Sequence, residues 1–291
     1  MNLVIKKIIK SIYRKFPNKL KAQLGYYLNF REWPNLNQPL TFNEKVLNRI
    51  LYDRNMIYPL LADKYEVRTL IGKILGEEFL VPLLFMTDTP ENLMQLSDWS
   101  KTVIKPNHGA GMVKIFDHDP SRRDKEQVIK LANNWLKLNY SILAGEWHYA
   151  HIKPYILVEE KITELNEDLR DYKFHRFKQK DGSYKQILQV VAERSVKGYE
   201  TVFFDLNNLD CILHSPFGYQ LTLSDLEKEC IAKICNLNLK LIPEINYVRL
   251  DWYITTENIY FGEITLTPGA GRSKSFAGNF GLEMGKLWIA E

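Results

Sequence analysis

The sequence predicts an α+β fold with largely antiparallel sheets, and three observations point to it. Helical spacing and turn residues prevail in the first 60 residues, whereas strands that alternate polar and apolar residues prevail in the second half. Asp181-Gly182, the strongest hairpin signal in the chain, joins two of those strands. The pattern lacks the early β-α-β half of a Rossmann-like protein. A chain ordered in this way is typical of the α+β class.

The first half is predicted as helices and short strands separated by turn residues. Thr41-x-x-Glu44 is a capping box that opens a helix through about Leu51, and Asp63 is placed to cap a helix through about Leu75. Further helices are predicted over residues 90–96 and 124–138, and strands over 78–84, 101–105, 113–116 and 155–161.

The second half is predicted to supply most of the sheet. Strands are expected over residues 169–177, 186–192, 246–254 and 258–264, with a long helix over 223–241. The aromatic residues Trp252, Tyr253, Tyr260 and Phe261 alternate at strand spacing and are expected to pack this sheet.

Composition excludes several other classes of protein. The 291 residues are 45% hydrophobic and 25% charged with a net charge of +4, which is too apolar and too weakly charged for a disordered chain. Three cysteines do not make the even framework of a disulfide-stapled secreted module. No run of about 18 apolar residues offers a membrane-spanning helix. The small basic excess suits an anionic small ligand at least as well as nucleic acid.

Met1–Phe16 is a basic amphipathic segment. Its apolar residues fall on one helical stripe, and lysines interrupt the apolar run that a secretory signal needs. The chain is therefore expected in the cytoplasm, in keeping with three unpaired thiols. The favoured interpretation of residues 1–16 is a helix docked on its own core. The alternative is a peripheral contact with the anionic inner face of the plasma membrane.

A glycine-bearing loop follows the predicted strand that ends at Lys105. In the string Lys105-Pro-Asn-His-Gly-Ala-Gly-Met112, the two glycines allow a close backbone approach, and their N–H groups can cradle phosphate oxygens. The string is neither a Walker A motif nor a dinucleotide fingerprint. Taken alone, an ordinary hairpin turn explains it. Asp63-Lys64 adds a lysine at a helix start, which is unfavourable for the helix dipole and suggests a function.

Carboxylates occur in three otherwise apolar strands. Tyr155–Ile162 ends in Glu-Glu-Lys, which can present backbone groups to a purine and a carboxylate to a ribose; a strand leaving the core is the simpler explanation. Asp251 and Glu263 lie in apolar surroundings on two strands joined by a short turn. Buried acids need a partner or a metal, so they indicate either a Mg²⁺ site or ion pairs with Arg249 and Arg272.

Taken in order, these strings resemble the ATP-grasp superfamily, and the closer resemblance is to its TupA-like branch. Asp-Lys-Tyr-x-Val-Arg, Lys-Pro-Asn-x-Gly-x-Gly, Val-Glu-Glu-Lys, Asp-Tyr-Lys-Phe, Arg-x-Asp and Leu-Thr-Pro-Gly-Ala-Gly carry it over roughly residues 40–285. It implies two α+β subdomains that grip ATP between antiparallel sheets, with the N-terminal part at 61–164 and the catalytic part at 165–291. Residues 1–60 would form a helical extension.

The resemblance implies a role for each candidate residue. Lys64 and Lys105 would contact nucleotide phosphates, and Arg249 would face the transferred phosphate, with Lys173 also in reach. The remaining candidates are Asn107, His108, Gly109 and Gly111 in a loop that closes over the phosphates; Glu159, Glu160, Lys161 and Ile162 in the adenine and ribose hinge, with Glu160 as the preferred contact; Asp251, Glu263 and Thr265 around Mg²⁺; and Arg272, Lys274 and Arg194 for an acceptor carboxylate. Thr265 stands where most ATP-grasp enzymes carry Asn, which leaves a second metal ion open.

The activity that the resemblance implies is an ATP- and Mg²⁺-dependent carboxylate–amine ligation through an acyl phosphate. It would join an amino acid or amine to a carboxyl-bearing sugar, such as a uronic acid, in teichuronopeptide or another surface polysaccharide. Either partner can supply the carboxylate, and no nucleic-acid partner is expected.

Three alternatives stay open on the sequence. Asp117-His-Asp119 fits the Asp-x-Asp pattern by which glycosyltransferases hold a metal, although a polar turn explains it as well. A sugar or lipid kinase would share the nucleotide site and stop at phosphoryl transfer. A non-catalytic scaffold is disfavoured by the retained lysines and acids. His148-x-x-His151 has metal-binding spacing but no third ligand nearby, which favours core or surface histidines.

Overall fold

The computed structural model describes residues 16–162, 170–195, 198–209, 211–213 and 221–289. Two antiparallel sheets, of four and six strands, organise this part of the chain, which confirms the predicted fold class. None of the helices in the described ranges combines the length and the apolar character needed to span a bilayer. The membrane contact considered for residues 1–16 lies almost entirely outside the described residues and stays a prediction.

Helices lead into the first sheet. Among the described residues they are α1 (Asn18–Phe30), α2 (Phe42–Tyr52), α3 (Tyr58–Ala62) and α4 (Glu66–Leu75). The predicted capping box is confirmed, since the Glu44 N–H donates to the Thr41 hydroxyl at 3.3 Å and the Thr41 N–H donates to the Glu44 carboxylate at 2.9 Å. Asp63 also caps as predicted, because its carboxylate accepts from the N–H groups of Tyr65 and Glu66 at 2.8 and 3.3 Å.

The four-stranded sheet has the order β1-β4-β2-β3. Its strands are β1 (Leu83–Thr87), β2 (Thr102–Pro106), β3 (Lys114–Phe116) and β4 (Ile156–Glu160). The strand predicted over 78–84 begins later than expected, because Glu77–Phe79 form a 3-10 helix and Pro82 has no N–H for a ladder. Helix α5 (Arg122–Leu136) covers one face, where Ile104 and Val158 pack against Val128 and Trp135. The short helix α6 (Tyr140–Ala144) follows.

The six-stranded sheet has the order β10-β9-β5-β6-β7-β8. Its strands are β5 (Asp171–Lys178), β6 (Tyr184–Ser195), β7 (Gly198–Asp205), β8 (Cys211–Leu213), β9 (Tyr247–Ile254) and β10 (Ile259–Thr265), with α7 (Asp225–Asn238) after β8 and α8 (Gly278–Leu287) near the end. The hairpin at Asp181-Gly182 is confirmed, because Lys178 pairs with Tyr184 across it. Strands β7 and β8 and helix α8 were not predicted.

The two faces of the six-stranded sheet have different surroundings. One face packs its alternate residues, among them Phe174, Leu250 and Trp252, into the main core against α7. Buried Arg176 lies on this face and donates to the carbonyl oxygens of Asn238 and Ile242 at the end of α7, at 2.6 and 2.7 Å. The opposite face is divided between an aromatic cluster around Phe42 and an open cleft.

A bulge in β10 decides which of its side chains face the cleft. The register with β9 shifts between Phe261 and Glu263, at Gly262. Phe261 therefore pairs with Trp252 on the core face, while Glu263 pairs with Asp251 on the cleft face. Without the bulge, two residues spaced by two would share a face.

A left-handed turn after β10 holds this part of the chain against α2. Gly269, Ala270 and Gly271 have φ values of 57°, 49° and 67°. A Cβ on Gly271 would lie 2.8 Å from the carbonyl oxygen of Asn43 and 2.7 Å from Leu47 Cγ. The turn therefore needs glycine at 271 both for its backbone conformation and for its close approach to α2.

We expect Gly271→Ala to lower the free energy of unfolding by more than Gly278→Ala does. Both glycines have left-handed φ values, 67° and 61°, so each alanine costs about 1 kcal/mol of backbone strain. Only the Cβ at 271 also meets neighbouring atoms, since none lies within 4 Å of a Cβ at 278. Urea unfolding of both variants measures the difference. An equal decrease in the free energy of unfolding would show that α2 accommodates the added Cβ at 271 without loss of stability.

Candidate active site

A cleft of about 500 Å³ lies between the two sheets. Val103, Lys105 and Ile115 face it from the four-stranded sheet, and Lys173 and Asp251 face it from the six-stranded sheet. The cleft brings together twelve of the residues singled out in the sequence: Lys64, Lys105, Gly109, Gly111, Glu159, Glu160, Lys161, Ile162, Lys173, Arg249, Asp251 and Glu263.

Arg249 bridges two carboxylates on the cleft face. Its Nε and Nη2 atoms donate to the two oxygens of Asp251, each at 2.7 Å, and Nη2 also lies 3.3 Å from Glu263 Oε1. Asp251 and Glu263 are direct partners across β9 and β10, so they share one face at one level of the sheet. The predicted ion pairing with Arg249 is present, whereas Arg272 takes no part in it.

Two lysines complete the ion network. Lys173 Nζ lies 2.8 Å from Asp251 Oδ2 and 3.1 Å from Asp171 Oδ2, and Lys64 Nζ lies 3.2 Å from Glu263 Oε2. Burial alone would raise the pKa of Glu263, but Lys64, Arg249 and Lys173 lower it to about 2. The carboxylate is therefore ionised, and its charge is neutralised by side chains of the same chain.

The two carboxylates fit a Mg²⁺ ion whose coordination shell is completed by other ligands. Across the described residues, no three potential ligands among His, Cys, Asp and Glu cluster into a metal-binding group. Asp251 and Glu263 offer two carboxylates on one surface, and Mg²⁺ is commonly held by one or two carboxylates together with water and phosphate oxygens. The Thr265 hydroxyl accepts from Arg249 Nη2 at 2.9 Å and donates to Glu263 at 3.1 Å, so it orients both.

The glycine loop is tied to the start of α4. The Lys64 N–H donates to the Asn107 carbonyl oxygen at 2.9 Å, and Lys64 Nζ donates to that of Gly109 at 2.8 Å. The Asn107 amide donates to Asp63 at 2.9 Å and accepts from the Tyr155 N–H at 2.8 Å. Asn107 and His108 are buried and do not line the cleft, so here they hold the loop in place.

The two glycines of this loop have different surroundings. Gly109 and Gly111 have φ values of 74° and 72°, which favour glycine. A Cβ on Gly109 would lie 2.6 Å from the Tyr140 ring, whereas no atom lies within 4 Å of one on Gly111. The Tyr140 hydroxyl donates to the Ala110 carbonyl oxygen at 2.6 Å. One side of the loop is thus packed, and the other opens into the cleft.

The two glutamates of β4 point in different directions. Glu159 is buried, and its carboxylate lies 2.6 Å from Lys105 Nζ and 3.4 Å from Arg68 Nη1. Glu160 is exposed at the cleft. The N–H groups of Glu160 and Lys161 donate to the carbonyl oxygens of Pro82 and Lys101, at 3.0 and 2.7 Å. These two backbone donors are therefore not free for a purine, while the Glu160 carboxylate is accessible.

The two candidates for an acceptor carboxylate whose side chains the structure describes, Arg272 and Lys274, lie away from the cleft. Arg272 lies against α1, because a Cβ on Gly25 would be 2.8 Å from its Nη1 atom. Lys274 is exposed outside the cleft, and the Arg194 side chain lies outside the described part of the structure. The neighbouring residues Ser273 and Ser275 line the cleft instead.

The residues on which the alternative functions would depend do not line the cleft. Asp117 Oδ1 lies 2.6 Å from Lys161 Nζ, and Asp119 Oδ1 lies 2.7 Å from Lys125 Nζ and accepts from the Trp99 N–H. The two aspartates thus bind different lysines, and neither lines the cleft. His148 is buried and burial lowers its pKa to about 4, whereas His151 is exposed.

Three cleft residues were missed although the strand patterns contained them. Asp171 lies two residues before Lys173 and therefore on the same face. Gln189 is the partner of Lys173 across the hairpin centred on Asp181-Gly182, so its position followed from the turn. Tyr253 was expected to pack the sheet, but it lies two residues after Asp251 and lines the cleft.

Glu146 is a buried acid behind the ion network. It accepts a hydrogen bond from the Thr267 hydroxyl. Burial raises its pKa from 4.5 to about 7, against the opposing effects of Thr267, Arg272 and Lys64. No sequence pattern marked this residue, because its surroundings come from a segment 121 positions away.

The family of the chain agrees with this architecture. The model of the TupA-like ATP-grasp family matches residues 44–289. The chain therefore belongs to the TupA-like ATP-grasp family, which confirms the resemblance in the sequence. Among curated proteins no sequence match was found.

Solved structures that resemble the chain include two D-alanine–D-alanine ligases. The one from Helicobacter pylori is 13% identical with a TM-score of 0.46, over 79% of this chain and 62% of that one. The one from Bacillus anthracis is 16% identical with a TM-score of 0.42, over 80% and 68%. The chain thus spans less than two thirds of the Helicobacter pylori ligase.

We expect the stability of the protein to fall as the pH rises through 7 because of Glu146. Its folded-state pKa of about 7 lies above the unfolded value of 4.5. The folded state therefore holds the proton more tightly, and this contribution, about 3 kcal/mol, is complete below pH 4.5 and lost above 7.

Urea unfolding of Glu146→Gln and the parent protein, at acidic and mildly alkaline pH, measures this. The Gln variant should lack the decline, whereas Glu229→Gln, at an exposed position on α7, should follow the parent protein. Parallel curves for all three proteins would contradict the shifted pKa.

Proposed function

We propose that the protein is an ATP- and Mg²⁺-dependent ligase that joins a carboxylate to an amine through an acyl phosphate. The observation that carries this proposal is the arrangement of one cleft. The glycine loop and Lys105 come from the four-stranded sheet, and the paired acids Asp251 and Glu263 face them from the six-stranded sheet.

The apolar part of the cleft suits a purine. Val103 and Ile115 on one sheet and Val191 on the other offer flat, non-polar surfaces on both sides. The exposed Glu160 carboxylate at the same edge suits the hydroxyls of a ribose. A nucleotide held here would extend its phosphates toward Lys105 and the glycine loop, whose open side at Gly111 leaves room for them.

The charge balance of the cleft supports a metal-dependent reaction. Its described lining holds five cations, at Lys64, Lys105, Lys161, Lys173 and Arg249, and five carboxylates, at Glu159, Glu160, Asp171, Asp251 and Glu263. A nucleotide alone therefore meets a surface of zero formal charge. Bound Mg²⁺ would neutralise phosphate charge and orient phosphate oxygens.

The residues beside the acids fit two successive displacements. In the first, a carboxylate oxygen attacks the terminal phosphorus of ATP, and ADP leaves. Arg249 and Lys173, which both pair with Asp251, would stabilise the negative charge on the transferred phosphate. In the second, an amine attacks the acyl carbon, the C–O bond to phosphate breaks, and the amine loses a proton. The glycine loop would exclude water, which would otherwise hydrolyse the acyl phosphate.

For the substrates, we propose a carboxyl-bearing sugar, such as a uronic acid of a surface polysaccharide, and an amino acid or amine. Uncharged polar groups of Gln189, Tyr253, Ser273 and Ser275 line the cleft, and such groups suit a partner rich in hydroxyls. Since the reaction consumes ATP, we place it in the cytoplasm.

Asp251→Asn and Glu263→Gln should each lower Mg²⁺-dependent ADP release by roughly a hundredfold or more, because each removes a negative charge that would hold Mg²⁺. Asp117→Ala is the control, since Asp117 is exposed and does not line the cleft. Near-parental activity of the first two variants, with loss in the third, would instead favour a glycosyltransferase. Circular dichroism of each variant separates loss of chemistry from loss of fold.

The products of a substrate panel test the reaction itself. Mg-ATP is offered with uronic acids, their nucleotide- or lipid-linked forms, and amino acids, and ADP release is measured together with product mass. An amide that forms only when both partners are present is the expected result, and it also identifies the partner that supplies the carboxylate. A stable phosphorylated product without any amine would show a kinase. Failure to bind ATP with Mg²⁺ would contradict the proposal.

A further inference from the structure

An apolar stripe runs along the outer side of α1. Leu20, Leu24 and Leu28 are spaced by four residues, so their side chains are neighbours along one line of the helix. Leu20 and Leu28 are 36% and 62% exposed, and Leu24 is partly exposed. None of the three belongs to the hydrophobic clusters formed by the described residues.

Two aromatic rings widen the stripe. Tyr27 stacks on Trp33 with ring centroids 4.7 Å apart and an angle of 23° between planes. Trp33 is 58% exposed although it is the largest of the side chains. We call the set Leu20, Leu24, Tyr27, Leu28 and Trp33 the α1 stripe.

The α1 stripe is not the surface by which α1 docks on the protein. The helix docks through its other side, where Tyr26 is buried in the aromatic cluster and Gly25 lies under Arg272. Burial of the stripe therefore requires something outside the described fold. An exposed set of large apolar side chains of this kind marks an interaction site.

The charge around the α1 stripe indicates which kind of partner it binds. Lys19 and Arg31 are exposed at the two ends of the helix. The first 33 residues contain eight lysines and arginines and one acid, Glu32, which leaves 31 basic against 34 acidic residues in the rest of the chain. The positive charge of the protein is thus concentrated in the segment that carries the stripe.

We propose that the α1 stripe binds the anionic surface of a membrane. Apolar side chains with Trp and Tyr at their border, flanked by cations, suit the interface between headgroups and acyl chains. A second copy of the chain fits less well, because its own basic segment would face this one and repel it. This proposal does not depend on the ligase reaction.

Vesicle co-sedimentation of the full-length protein tests it. Vesicles of equal parts phosphatidylglycerol and phosphatidylcholine should bind the protein, those of phosphatidylcholine alone should not, and rising salt should weaken binding. Leu28→Glu with Trp33→Glu should lower the bound fraction roughly tenfold. Met94→Glu is the matched control, since Met94 is an exposed apolar residue of the four-stranded subdomain and should leave binding unchanged. Lys19→Glu with Arg31→Glu should weaken binding without removing apolar surface.

Several outcomes would overturn the proposal. One is equal binding of the Leu28→Glu, Trp33→Glu protein and its parent. Another is self-association of the parent protein that this variant abolishes in sedimentation velocity, which would make the stripe an interface between copies. A third is a lowered melting temperature of the variant with unchanged vesicle binding, which would show the stripe covered by its own chain. ADP release in solution should stay unchanged, so a failed ligase assay leaves this test valid.

Discussion

The pairing of Arg249 with Asp251 and Glu263 is the interaction on which the site depends. Two carboxylates side by side on a sheet, one of them only 4% exposed, would repel each other without a shared cation. Arg249 lies on the same strand as Asp251 and can bridge both acids. Two further cations neutralise the same acids: Lys173 reaches Asp251 from β5, and Lys64 reaches Glu263 from the start of α4.

The same network connects the two halves of the cleft. Lys64 holds Glu263 with its ammonium group and also donates to the carbonyl oxygen of Gly109 in the glycine loop. The position of the loop is therefore coupled electrostatically to the acids on the opposite sheet. A ligand that carries both positive and negative groups would replace ion-pair partners of side chains that are already oriented. Its binding would therefore need less rearrangement of the side chains in the cleft.

A short chain of contacts links α1 to the cleft. Arg272 lies over Gly25 on the inner side of α1, and the next residue, Ser273, lines the cleft. The turn that precedes Arg272 is fixed on α2 through Gly271, and the amide of Asn43 donates to the carbonyl oxygen of Ser273 at 2.9 Å. The position of α1 is therefore connected to one end of the cleft through Arg272 and Ser273.

The sequence by itself determined the local elements and the order of the chemical groups. The capping box at Thr41, the hairpin at Asp181-Gly182 and the acids within apolar strands all depend on neighbouring residues, so the sequence alone indicates them. Only the tertiary structure decided which groups meet. The bulge at Gly262 places Glu263 on the same face as Asp251. Asn107 is buried and holds the glycine loop in place, and Arg272 packs against α1 instead of lining the cleft. Each of these depends on strand register or on contacts between distant segments, which residue spacing along the chain does not encode.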